Sequence, residues 1–180
     1  MAKILKGAEV VSALHARLIP QVEELKARGV VPTLGIVRVG ERADDVAYEK
    51  GATKRAETLG VSVQKFVLPA DASQQELIDT IQQINADASI HGVLLFRPLP
   101  KHINDEAVRA TLLPEKDVDG ITDGSLAGVF AGTKRGFPPC TAQGCMEILE
   151  HFEIPVAGKS AVVIGGGVVV GLPAAMMLLQ

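Results

Sequence analysis

The residues most able to do chemistry lie in four short segments. Gly165, Gly166, Gly167 and Gly171 fall between an apolar run, Ser160–Ile164, and an apolar helix start at Leu172-Pro173. Backbone N–H groups at a helix start favour anions, and glycine lets a phosphate approach closely. A dinucleotide-binding βαβ layer opens this way. The spacing here, Gly-x-Gly-x-x-x-Gly, is one residue longer than the ordinary fingerprint, so alone the turn is unspecific. The other three segments are Tyr48 with its following residues, Arg97-Pro98-Leu99-Pro100, and Asp117-Val118-Asp119-Gly120. Each has a plain structural reading. A tyrosine on a helix is more often core than functional. A Pro-Leu-Pro loop is usually a stiff connector. Asp-Val-Asp-Gly is usually a turn, or a calcium-like pattern lacking its later ligands.

Elements that would position these segments follow from the apolar spacing. Helices are expected over Ala8–Arg28, with Pro20 as a kink, and over Asp44–Leu59, closed by Gly60. Strands are expected at Thr33–Val39, Val61–Leu68 and Gly92–Phe96. Ser73 and Glu76 form a capping box for the helix between the last two. A short helix, Asp105–Leu113, precedes an irregular stretch from Pro114 to Pro139. Thr141 then caps a helix over Ala142–Phe152, and Ser160–Ile164 reads as a buried strand. Alternating strands and helices imply an α/β fold with a doubly wound layer. Ligands of such sheets bind beyond the carboxyl ends of the strands, where the segments of Tyr48, Arg97–Pro100 and Asp117–Gly120 fall. A boundary near Pro138-Pro139 divides residues 1–138 from residues 139–180.

Composition narrows the classes. Lys plus Arg number 18 against 21 Asp plus Glu, a formal net charge of −3, so no basic excess serves nucleic acid. Aromatic content of 3% leaves few base-stacking platforms. No apolar stretch reaches membrane-span length, and the N-terminus lacks a signal-peptide run. Two cysteines, Cys140 and Cys145, lack the spacing of a metal site. A cytoplasmic protein without metal, membrane or nucleic-acid partner is expected.

Taken in order, Tyr48–Gly60, Arg97-Pro-Leu-Pro100, Pro114-Glu-Lys-Asp-Val-Asp-Gly120, Pro139-Cys-Thr-Ala-Gln-Gly144 and the glycine turn resemble one family. It is the bifunctional methylenetetrahydrofolate dehydrogenase/cyclohydrolase family, and the resemblance covers essentially the whole chain. It implies an N-terminal folate domain followed by the beginning of a Rossmann-like dinucleotide-binding domain, NADP or NAD as cofactor, and a homodimer. Family members continue further, so the chain is expected to be a fragment or to be completed by something else. Tyr48 matches the tyrosine that stacks on the folate ring. Asp119 matches the aspartate that holds the pterin end, where a carboxylate accepts paired N–H bonds. Pro98, Leu99 and Pro100 would wall the folate cleft. Thr141 matches a cofactor contact, and Gly165, Gly166, Gly167 and Gly171 match the turn under the cofactor's phosphates.

The chain departs from the family at the reacting centre. The family's catalytic lysine, four residues after its tyrosine, is here Ala52. The next lysine of the pattern survives as Lys54, a third catalytic candidate beside Tyr48 and Asp119, but six residues on it leaves the shared helix face. The family's glutamine before the Pro-Leu-Pro loop is Phe96, and the apolar residue after it is Arg97. Ala52, Phe96 and Arg97 therefore belong to the expected substrate site. Ring opening of the methenyl form needs proton transfers, whereas oxidation needs mainly orientation. The expectation is an NAD(P)-dependent dehydrogenase with its cyclohydrolase weak or lost. Two other readings stay open: a bifunctional enzyme using Lys54 or Lys50 after a helix distortion, and a non-catalytic folate-binding subunit.

Overall fold

The computed structural model describes residues 4–180. Its elements run α1 (Gly7–Ala27), β1 (Thr33–Val39), α2 (Ala43–Leu59), β2 (Ser62–Leu68), α3 (Gln74–Ala86), β3 (Gly92–Leu95), α4 (Asp105–Thr111), α5 (Asp123–Ala131), α6 (Cys140–His151) and α7 (Gly171–Leu179). The three strands form a parallel sheet in the order β2-β1-β3. The central strand is buried from Ile36 to Val39, as expected when helices cover both faces.

Strand alternation sorts the two faces. Val37 and Val39 join Leu77, Ile81 and Ile84 of α3, Val93 and Leu95 of β3, and Val108 of α4 in one apolar core. The start of α3 is fixed by the Ser73–Glu76 capping box, which is formed on both sides. Arg38 lies on the opposite face. Its Nε donates to Glu49 of α2 at 2.6 Å, and its Nη1 donates to the Gly40 carbonyl. Lys65 of β2 reaches the other Glu49 oxygen at 2.9 Å. Both Arg38 and Glu49 are buried, at 7% exposure each. Burial opposes ionisation of Glu49, but the bonds from Arg38 and Lys65 win and hold its carboxyl below the usual range.

Several expectations need correction. The stretch from Pro114 to Pro139 is not wholly irregular, because α5 occupies Asp123–Ala131. Its start is set by Thr122, whose side chain accepts from the Ser125 N–H at 3.1 Å. The helix after Pro139 begins at Cys140, so Thr141 lies inside its first turn and does not cap it. Ser160–Ile164 forms no strand, and residues 160–170 are exposed. A parallel strand needs a neighbour to complete its ladder, and none lies beside it among the described residues. Helix α7 nonetheless follows the glycine turn.

Glu49→Ala should destabilise the protein by about 3–5 kcal/mol, because it strands a buried guanidinium. A carboxyl held low in the folded state stabilises above its unfolded pKa and stops doing so as pH falls through the folded value. The deficit, read from urea midpoints, should therefore be full at pH 7 and shrink in acid below the ordinary glutamate range. Equal midpoints at pH 7 would refute the anchoring role of the pair.

Candidate functional site

At the carboxyl ends of the strands, the chain leaves β1 into α2 and leaves β3 toward α4. In the order β2-β1-β3 these exits lie on either side of a crevice, which is where parallel sheets bind ligands. A cleft of about 500 Å³ opens there. Tyr48, Phe96, Arg97, Asp119, Thr141 and Val169 line it, with Asp44 and Asp45 at the α2 end.

Tyr48 is not a core residue: it is 62% exposed, whereas Phe96 is 7% exposed. The two rings meet edge to face, with centroids 5.4 Å apart and planes at 61°. This is a favourable quadrupolar arrangement, and it leaves most of the tyrosine exposed at the cleft. Phe96 follows directly on β3, and its N–H is bonded to the Val37 carbonyl at 2.9 Å. The sheet therefore fixes the ring that fixes Tyr48.

The two aspartates of Asp117-Val-Asp119-Gly120 have separate tasks. Asp117 is fully buried and accepts from the N–H groups of Ile121 at 3.1 Å and Thr122 at 2.7 Å. It builds the turn. Asp119 is presented to the cleft by that turn, half-buried. Burial pushes its carboxyl above the usual range; Cys140 opposes this, Asp117 adds to it, and Arg97 opposes it. Gly120 has φ +67°, and a Cβ there would meet the Pro139 nitrogen at 2.4 Å, so only glycine fits. Lys116, from the same motif, points away from the cleft. Its Nζ donates to the carbonyls of Ile84 and Asp87 at 2.7 and 2.6 Å, closing the end of α3. Although Cys140 as a residue is exposed, its thiol turns inward and donates to the Val118 carbonyl at 3.1 Å. Burial and the Asp119 charge push that thiol up to about 11, which makes it a poor nucleophile.

Other expected site residues lie elsewhere. Pro98, Leu99 and Pro100 line a separate hollow of about 250 Å³ with Gly40, Arg42 and Ala70. The Arg97–Pro98 peptide bond is cis. Ala52 is half-buried on α2 and does not line the cleft. Helix α2 is unbroken from Ala43 to Leu59, and Lys50 and Lys54 are exposed and outside the cleft. Gly165, Gly166, Gly167 and Gly171 do not line the cleft either, but Val169, between them, does. A Cβ on Gly171 would sit 1.8 Å from the Gly165 carbonyl oxygen, so the turn folds back on the start of α7 with no room for a side chain. Exposed backbone at a helix start, closed by a glycine contact, fits a dinucleotide phosphate. Among the described residues, no group of three or more His, Cys, Asp or Glu could hold a metal.

The roles of Asp44, Asp45 and Arg38 had no motif to reveal them. Asp44 and Asp45 are visible only as acidic residues in the first turn of α2, a favourable place for them on any helix.

The family described as tetrahydrofolate dehydrogenase/cyclohydrolase, catalytic domain, matches residues 5–119, and its NAD(P)-binding domain matches residues 139–180. The bifunctional protein FolD of Carboxydothermus hydrogenoformans is 48% identical over the whole of this chain, which spans 63% of that relative's length. The crystal structure of the bifunctional enzyme FolD, methylenetetrahydrofolate dehydrogenase/cyclohydrolase, from Campylobacter jejuni superposes with a TM-score of 0.94 at 33% identity, over 98% of this chain and 63% of that one. The methylenetetrahydrofolate dehydrogenase-cyclohydrolase from Trypanosoma brucei, complexed with NADP cofactor and inhibitor, gives 0.90 at 30% identity, over 99% and 61%.

Asp119→Asn should raise the melting temperature at pH 7. A carboxyl whose folded pKa is raised destabilises the fold above that value, and the penalty vanishes below the ordinary aspartate value of 3.8. Melting curves of the two proteins should therefore converge in acid. An Asn variant less stable than the parent at neutral pH would mean that Asp119 serves the fold.

Proposed function

The chain belongs to the tetrahydrofolate dehydrogenase/cyclohydrolase family, and from that membership we propose that the whole protein oxidises 5,10-methylenetetrahydrofolate to its 5,10-methenyl form with NADP or NAD, as an oxidoreductase of one-carbon metabolism whose cyclohydrolase step is weak or lost. The observation that carries this reading is the pairing of Tyr48 with Phe96 in the cleft. An aromatic platform for a flat ring is kept, while the polar residue and the lysine of the family pattern are Phe96 and Ala52.

Residues 1–138 would bind the folate and residues 139–180 would begin the dinucleotide site. Tyr48 would stack on the folate ring, and Asp119 would accept paired N–H bonds from its amino-oxo end. Asp119 is partly shielded from water, which strengthens such bonds. The backbone from Gly165 to Gly171 and Thr141 would hold the cofactor, which supplies the hydride acceptor. Phe96 closes the floor of the cleft with an apolar ring, so that position offers no group to take a proton from water where the family pattern has a polar side chain. The protein would act as a homodimer in the cytoplasm. Among the described residues no helix is long and apolar enough to cross a membrane.

A second reading is favoured by the name of the relative from Carboxydothermus hydrogenoformans, a bifunctional protein at 48% identity. It would keep the hydrolase with a different base. Lys50 and Lys54 do not reach the cleft in an unbroken α2, so they are poor candidates for that base.

The test follows reduced nicotinamide and the methenyl product separately, using the full-length protein, methylenetetrahydrofolate and each cofactor in turn. Both should rise together, with the methenyl form persisting. Methenyl loss faster than in buffer would instead establish the bifunctional reading. The double variant Ala52→Lys with Phe96→Gln should speed methenyl hydrolysis by about 10²-fold, the lower range of acid–base assistance. A flat rate would mean that these positions are not where the activity was lost.

A further inference from the structure

Oxidation changes the charge of the bound folate. The methylene C–H bond breaks, its electron pair leaves with the hydrogen to the nicotinamide acceptor, and the carbon is left as a cation shared with two ring nitrogens. A positive side chain lining the same cleft opposes that charge. Arg97 is such a side chain, at a position that the family pattern makes apolar.

Among the described residues its ion-pair partner is Asp105. Asp105, at the first position of α4, accepts from Arg97 Nε at 2.6 Å and from Nη2 at 2.5 Å, a two-bond fork. The Arg97 bonds hold the Asp105 carboxyl below the usual range against the opposing effect of burial, and Arg109 adds to them. Arg109 donates to the same carboxylate at 3.0 Å and has partners of its own, the Ile121 carbonyl at 3.0 Å and Asp123 at 3.2 Å. The other charged groups lining the cleft are all acidic: Asp44, Asp45 and Asp119. Arg42 pairs with Asp44 at 2.5 Å and lies 3.8 Å from Asp45, while Asp119 has no such cation bonded to it among the described residues.

We propose that Asp105 is a positioning residue: its two-bond grip turns and neutralises Arg97, so that the cleft favours the cationic methenyl product over an uncharged folate ring. This rests on the folate oxidation proposed above.

The test is a binding titration of the full-length protein with 5,10-methenyltetrahydrofolate, whose ring system is cationic, and with tetrahydrofolate, whose ring system is not. The readout is the ratio of the two affinities. Asp105→Asn should lower that ratio on the order of five- to tenfold by unmasking one charge near the ligand. Arg97→Leu should not lower it, because that variant removes the cation and leaves Asp105 bonded to Arg109, and the double variant should return the ratio toward the parent value. A merely structural Asp105 would give a double variant no better than Asp105→Asn, which overturns the proposal. Arg97→Lys keeps the charge but cannot keep the fork, so it should lower the ratio without touching Asp105. An unchanged ratio there also overturns it. If the parent protein binds neither compound, the folate reading itself fails. If the parent binds both and only the ratios stay flat, that reading stands and the role of Asp105 falls.

Discussion

The buried pair of Arg38 and Glu49 sets the frame of the cleft. Helix α2 has little apolar surface to offer the sheet; Glu49 and Ala56 are its buried residues. It is therefore held to β1 largely through a charge pair, with Lys65 of β2 as a second cation. Such a pair is sensitive to geometry, because the cost of burying two charges is offset only when their bonds are good. That sensitivity gives α2 one angle and one register on the sheet. Tyr48 is the next residue along, so its ring inherits this placement. An apolar contact of the same area would have left the helix freer to roll.

The two ends of the cleft are built on different physics. At the sheet end, Phe96 is fixed by a backbone bond to the central strand and by burial. At the loop end, Asp117 spends its carboxylate on two N–H groups so that Asp119 need not. One aspartate is satisfied inside the fold, and its neighbour but one is left with an unmet capacity to accept. Burial makes that capacity costly in the free protein, and under the proposed folate reading a ligand with paired donors would relieve the cost. The charge balance around Arg97 belongs to the same scheme. A cation has entered the wall, and α4 supplies the anion that answers it.

Much of this could be read from the chain. The strands around Val37 and Val93 are apolar runs, Ser73 and Glu76 announce a helix start, and Tyr48, Phe96 and Asp119 come together as their motifs imply. The division of labour between Asp117 and Asp119 could not be read, since both sit in one turn motif and only burial separates them. The Arg38–Glu49 pair was equally hidden. A pairing between a strand and the helix that follows it leaves no periodicity, and an arginine inside an apolar run looks like an interruption. Helix α5 leaves little trace in the sequence, because its glycines and short length mask its pattern. Ser160–Ile164 shows the opposite failure. The residues have strand character, but a strand is a relation between neighbours, and its own sequence cannot supply the other half.

Gly120 has a mechanical consequence. Its Cα packs against the Pro139 nitrogen with no space for a methyl group. The loop that carries Asp119 and the first turn of α6 are thus meshed, like two gear teeth without backlash. At this point α6 cannot move toward the Asp119 loop without pushing that loop. Closure of the cleft about this joint would not be a lid falling on a fixed floor. The floor's own carboxylate would travel with the lid, and its grip on a bound ring would tighten or slacken in step with the motion.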